Sequence, residues 1–190
     1  MTDLVGSEKR ISDEDILVRL LQMGVVIEEY AEEKSAVISG RAAQNDYIQE
    51  ILLEALDESQ THRDTLIDLI DDLRADGTRM DARHIEELVR EKVERSEIDA
   101  ETDEQALREQ LRSERLAYSF YDTLIDACEN TKTSDSEAET EIDTDADTGV
   151  GGCLEMNDDK IQMVVSTLKE IREDEKEDAQ KIENILKGVA

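Results

Sequence analysis

Three stretches of this chain place polar, chemistry-bearing side chains inside otherwise apolar helical stripes. Stepping by three and four, one stripe reads Ile48, Leu52, Ala55, Ser59, His62, Leu66, Leu69, Leu73. A second reads Leu107, Leu111, Glu114, Tyr118, Tyr121, Ile125, Cys128. A third reads Ile161, Val164, Leu168, Ile171, Glu175, Asp178, Ile182, Ile185. Each is apolar at both ends and polar in the middle, and such stripes face a core. A buried carboxylate costs several kcal/mol unless it is paired or ligates a metal. Polar residues spent at one depth on three helices therefore point to a shared site. Residues three apart on a helix face reach the same point in space, and an imidazole with carboxylates suits Fe, Mn or Zn.

Four long helices must position these residues. Ser12 with Asp15 resembles a capping box and opens α1, expected over 13–39 and ending near Gly40. After a very short break α2 is expected over 43–75, with Gly77 as its stop. Residues 81–95 (DARHIEELVREKVER) read as a short polar helix within a connection. Thr102 and Gln105 form a second box and open α3, expected over 103–130. Asn157 caps α4, expected over 158–187, before Gly188. No strand pattern interrupts these, so the fold class expected is all-α, a four-helix bundle. The domain spans 13–187, with 1–12 a tail and 131–157 a flexible acidic insertion. The short link from α1 to α2 makes them antiparallel neighbours. The link from α2 to α3 is long enough to cross the length of the bundle.

Composition narrows the function classes. The chain has 190 residues, a formal net charge of -29, no Pro, no Trp and two Cys. That charge repels phosphate backbones and anionic lipid, so neither nucleic acid nor membrane is expected as a partner. No run approaches the ~18 apolar residues of a transmembrane helix, and Met1 to Arg10 lack the apolar stretch of a signal peptide. The acid is spread along the chain and interleaved with regular apolar positions. We read that as adaptation to the molar salt of a haloarchaeal cytoplasm rather than as disorder. At 1 M salt the Debye length is about 3 Å, and self-repulsion is screened.

These residues carry a family resemblance. The short first link, long crossover and second hairpin resemble the ferritin-like superfamily, nearest to rubrerythrin-type di-metal carboxylate proteins. That pattern has a Glu on the first helix, Glu-x-x-His on the second, Glu on the third and Glu-x-x-His on the fourth. The segment Glu114-Arg-Leu-Ala-Tyr-Ser-Phe-Tyr121 is similar to the third-helix motif. Asp57-Glu58-Ser59-Gln60-Thr61-His62 is similar to the second, with Ser59 standing where Glu is expected and Glu58 beside it. Asp174-Glu175-Lys176-Glu177-Asp178 is similar to the fourth, with Asp178 in place of His. On the first helix the family interval falls near Ala31, where Glu32 is the nearest acid and Glu28 lies one turn earlier. The resemblance thus implies a reduced metal site of His62, Glu114, Glu175, Asp178, Glu32 and Glu58. It implies Fe or Mn as cofactor, and iron handling or peroxide and oxygen chemistry. Tyr121 would be a donor beside the metal. The chain has no Cys-x-x-Cys pair to act as its own electron relay.

A metal-free reading competes. The most apolar seam of α1 runs Leu17, Leu20, Gly24, Ile27, Ala31, Lys34, Ile38 and turns Lys34 inward. Lys34 paired with Glu114 or Glu175 would replace the metal and leave a helical scaffold or adaptor for a protein partner. The broad apolar band from Ile16 to Ile27 also favours a homodimer. Tyr118 reads as a core aromatic, His84 as a solvated residue and Cys128 as a small buried hydrophobe. Cys153 reads as an exposed, reduced thiol. The acidic stretch 134–147 lacks the Gly and terminal Glu spacing of an EF-hand loop.

Overall fold

The structure is a computed structural model that describes residues 14–41, 45–73, 100–129 and 157–189. These are all-helical: α1 (Glu14–Arg41), α2 (Asp46–Leu73), α3 (Asp103–Glu129) and α4 (Asp158–Val189). No strand occurs among the described residues. The tail, the short helix expected at 81–95, the acidic insertion, His84 and Cys153 lie outside them.

The starts of the helices follow their capping chemistry. Thr102 Oγ1 accepts from the Gln105 amide at 3.2 Å, and Gln105 Oε1 accepts from the Thr102 amide at 3.1 Å, a complete capping box. Asn157 Oδ1 accepts from the Asp159 amide at 3.1 Å, and Asn45 Oδ1 from the Tyr47 amide at 2.9 Å. Acids fill the first turn of every helix, where the dipole favours them. The ends differ from expectation. Both α1 and α4 run through the glycines expected to stop them, Gly40 and Gly188. A helical glycine costs about 1 kcal/mol against Ala, and a helix of this length absorbs it.

Contacts between helices fix the topology. α1 and α2 pack along their lengths as one hairpin, and α3 and α4 as another. In the second, Lys169 reaches Glu129 at 2.6 Å, Arg172 reaches Asp122 at 2.9 Å and Arg115 reaches Glu183 at 2.6 Å. Rising numbers on α4 meet falling numbers on α3, so the pair is antiparallel. Lys34 with Ser113 and Ser35 with Gln110 make α1 antiparallel to α3. His62 with Glu175 and Lys181 with Glu54 do the same for α2 and α4. The helices therefore run up, down, down, up. Lys160 of α4 bonds Glu14 and the Leu73 carbonyl, so α2 ends beside the starts of α1 and α4. Ala100 is buried at the other end with Ile38 and Ile48. α2 therefore ends and α3 begins at opposite ends of the bundle, about 40 Å apart at 1.5 Å per helical residue.

The core has two apolar ends and a polar waist. One end holds Leu17, Leu21, Leu66, Leu73, Leu124, Ile125, Val164 and Leu168. The other holds Ile38, Ile48, Leu52, Leu107, Leu111 and Ile182. Between them lie the buried polar residues Glu28, Lys34, Ser35, Ser59, His62, Gln110, Ser113, Glu114 and Glu175. The broad apolar band of α1 is largely used inside the bundle: Leu20, Met23, Val25 and Val26 pack partly buried on the first cluster, while Ile16 is exposed.

Candidate metal centre

Each helix buries an acid or imidazole at the waist: Glu28 from α1, His62 from α2, Glu114 from α3 and Glu175 from α4. Ligand atoms of Glu28, His62 and Glu175 all lie within 4.8 Å of one another. His62 Nδ1 is 3.0 Å from Glu175 Oε1 and 4.0 Å from Glu28 Oε2. On its other side, Nε2 is 3.4 Å from Oδ2 of the exposed Asp174. Tyr121 donates its hydroxyl proton to Glu28 Oε1. The other oxygen, Oε2, has no hydrogen-bond partner although the residue is 1% exposed. Glu114 accepts from Gln110 Nε2, and Gln110 Oε1 accepts from Ser35 Oγ at 2.8 Å. Glu114 and Glu175 lie near enough to act on each other's proton affinity.

The electrostatics follow from packing acids together away from water. Burial pushes Glu28 up to about 8; the Tyr121 hydrogen bond opposes this and the Glu114 charge adds to it. Burial raises Glu175 well above the carboxylate range, helped by the charges of Glu28 and Glu114. Glu114 is raised by burial against the pull of its hydrogen bonds and of Lys34. Further out, partial burial and a hydrogen bond with Asp178 push Glu58 up to about 8. Burial lowers His62, with Asp174 opposing. Glu28 therefore holds its proton at neutral pH, Glu114 and Glu175 release theirs later than free carboxylates, and burial favours the neutral imidazole. Hard carboxylate oxygens around one imidazole make a donor set suited to Fe(II) or Mn(II), and a bound cation would displace those protons.

The residues expected from sequence divide into three groups. His62, Glu114 and Glu175 converge at the waist. Glu58 and Asp178 form a pair beside it, toward solvent between α2 and α4. Glu32 is not at the centre: its carboxylate binds Arg63 and accepts from Gln60 Nε2 at 2.8 Å, on the seam between α1 and α2. The α1 acid facing the centre is Glu28, one turn earlier. A single stripe through Ile27, Ala31 and Lys34 passed it by. The interleaved stripe Gly24, Glu28, Ala31, Ser35, Ile38 is equally buried, because α1 packs against both α2 and α3. Ser59 donates to the Ala55 carbonyl at 3.0 Å and contributes no ligand.

Lys34 does turn inward, 3% exposed, but meets neither Glu114 nor Glu175. Its ammonium binds the Glu109 carboxylate at 3.1 Å, the Glu109 carbonyl at 2.9 Å and Ser113 Oγ at 3.2 Å. The chain matches no protein-family model, no curated protein and no solved structure.

Proposed function

We propose that this protein is a ferritin-like metal-binding bundle whose waist takes a divalent Fe or Mn ion, with Glu28, His62 and Glu175 as its protein ligands and Glu114 as a fourth donor. The observation that carries this reading is Glu28 Oε2, a buried acceptor without a hydrogen-bond partner, beside two other ligand atoms. Unsatisfied buried acceptors are rare and call for an explanation. The up-down-down-up order with its long crossover also suits the ferritin-like resemblance. Iron held there would supply redox chemistry toward peroxide or oxygen, or would be cargo in iron handling. The protein's own contribution is to exclude water and to gather charge that only a cation or protons can offset.

The test is the metal content of protein purified in concentrated KCl, after Fe(II) or Mn(II) loading, beside His62→Ala/Glu28→Ala. One or two ions per chain in the wild type, lost in the double variant, is the expected result. No metal in either protein would discard the reading.

Lys34 favours a second reading, a metal-free scaffold that works through a protein partner or a second copy. Its Glu109 partnership keeps one cation permanently in the waist. On that reading the wild type stays metal-free, and neutralising Glu28 changes stability alone.

A further inference from the structure

Four seams between neighbouring helices lead from solvent to the waist, and each is crossed by an ion pair. Between α1 and α2, Arg63 binds Glu32. Between α1 and α3, Lys34 binds Glu109. Between α3 and α4, Arg172 binds Asp122 at 2.9 Å and Arg115 binds Glu183 at 2.6 Å. The seam between α2 and α4 differs. At the depth of the waist it presents Asp174, whose side chain is 59% exposed, with the exposed Glu58 and half-buried Asp178. Its cation, Lys181, is held by Glu54 further along α4, and its charge also feels Glu58 and Asp178. α2 and α4 also approach each other over less of their length than the helices of either hairpin.

This seam is connected to the buried acids by a single side chain. His62 Nε2 is 3.4 Å from Asp174 Oδ2, while Nδ1 is 3.0 Å from Glu175 Oε1 and 4.0 Å from Glu28 Oε2. At the inner end sits the unpartnered Glu28 oxygen. Surface acid, imidazole and buried carboxylates form a continuous line of donors from solvent to the waist. A cation moving along it exchanges one oxygen or nitrogen donor for the next.

We propose that divalent cations reach the waist through the seam between α2 and α4, received by Asp174 with Glu58 and Asp178 and passed inward at His62. The proposal rests on the metal-binding reading above. It assigns Asp174 a role in the rate of capture rather than in holding the bound ion.

Stopped-flow absorbance with Co(II) as probe, on the full chain in KCl, tests it. Asp174→Lys should slow association about tenfold, in the range of electrostatic effects on capture. The dissociation rate should stay within about twofold, with stoichiometry unchanged. Asp126→Lys, an equal charge change at an exposed α3 position, controls for net charge and should alter association less than about twofold. Asp174→Asn, checked for helicity by circular dichroism, repeats the test without an added lysine. Equal slowing by Asp126→Lys, unchanged association in Asp174→Lys, or a change confined to dissociation would each overturn the route. If the wild type takes up no Co(II), the metal reading fails and the route falls with it. If it binds Co(II) and only the Asp174 effect is missing, the route alone fails.

Discussion

The seam between α1 and α3 and the seam between α2 and α4 cross the same depth of the bundle with opposite chemistry. The first carries its own cation. Glu109 Oε2, which makes no hydrogen bond, lies 3.1 Å from the Lys34 ammonium, and Ser35, Gln110 and Glu114 run as a chain of hydrogen bonds. The second has one neutral imidazole among carboxylates and an orphaned Glu28 oxygen at its inner end. Buried charge is tolerated when its partner is built in. Where no partner is built in, the acids must take up protons or a cation. The molecule does both within a few turns of the same helices, so the imbalance belongs to one seam and not simply to an acidic chain.

The largest effect should come from breaking the satisfied seam. Lys34→Met removes the buried partner of the Glu109 carboxylate, leaving it only Arg112 at 2.9 Å, and should cost about 3 kcal/mol in chemical denaturation. Adding Glu109→Leu should recover most of that, since replacing both partners of a buried pair is often neutral. A small loss in the single variant would show that this seam is not held by its ion pair.

At the inner end of the second seam, where α1 meets α3, Tyr121→Phe removes the donor to Glu28 Oε1 and leaves both oxygens of that carboxylate without protein donors. Denaturation should show a loss of about 1–2 kcal/mol. Bound metal should diminish that loss, because a ligated carboxylate no longer needs the phenol. If metal leaves the difference unchanged, Glu28 is not a ligand.

The metal-free protein should also respond to pH through this seam. Glu28 is raised from 4.5 to about 8, so the folded state holds its proton more tightly than the unfolded state does. Its stabilising effect is complete below 4.5 and is lost as pH rises through about 8. His62 is lowered from 6.5, so it acts oppositely, and stability from that group is lost as pH falls below 6.5. Between 6.5 and about 8 the raised acids, Glu28 and Glu58 among them, act in one direction without His62, and melting temperature should decline across that window. Metal affinity should rise over the same interval as protons are released. A melting temperature that is flat or rising there, without metal, would contradict the proton-loaded waist.

The smallest effect belongs to the periphery. Lys181→Ala removes an exposed pair with Glu54 and should change stability by no more than about 1 kcal/mol, less in concentrated salt. A larger loss would mean that the α2–α4 seam depends on its outer ion pair.

Much of the fold was legible because it rests on local rules. Helix starts at Asp46, Asp103 and Asp158 follow from Asn45, Thr102 with Gln105, and Asn157, whose side chains satisfy the first free amides. The stripe on α2 predicted its buried face down to His62; the stripe on α3 found Glu114 and Tyr121 but put Tyr118, which is half-buried, in the core where Ala117 and Phe120 lie. Helix ends were less legible, because Gly40 and Gly188 stop a helix only if another structure competes for them. At the site, Lys34 could be read as inward, but not that Glu109 would claim it. Glu109 lies on the edge of its stripe, and a period marks a face without saying which partner crosses to it. Glu28 was hidden for a related reason. Two overlapping stripes share Gly24, Ala31 and Ile38, and only the neighbouring helices decide how wide the buried face becomes.

The long crossover has a kinetic consequence. Within α1 and α2 the partners are close in sequence, so that hairpin closes a short loop and can form early. The α3–α4 hairpin closes a longer one, at only a modest further entropic cost. Docking the hairpins must draw the α2–α3 connection along the whole bundle, and only that step brings Glu28, His62, Glu114 and Glu175 together. The waist is therefore assembled last. A cation present during refolding would leave the early helical phase unchanged and act on the final docking, or on the rate at which the two hairpins separate again.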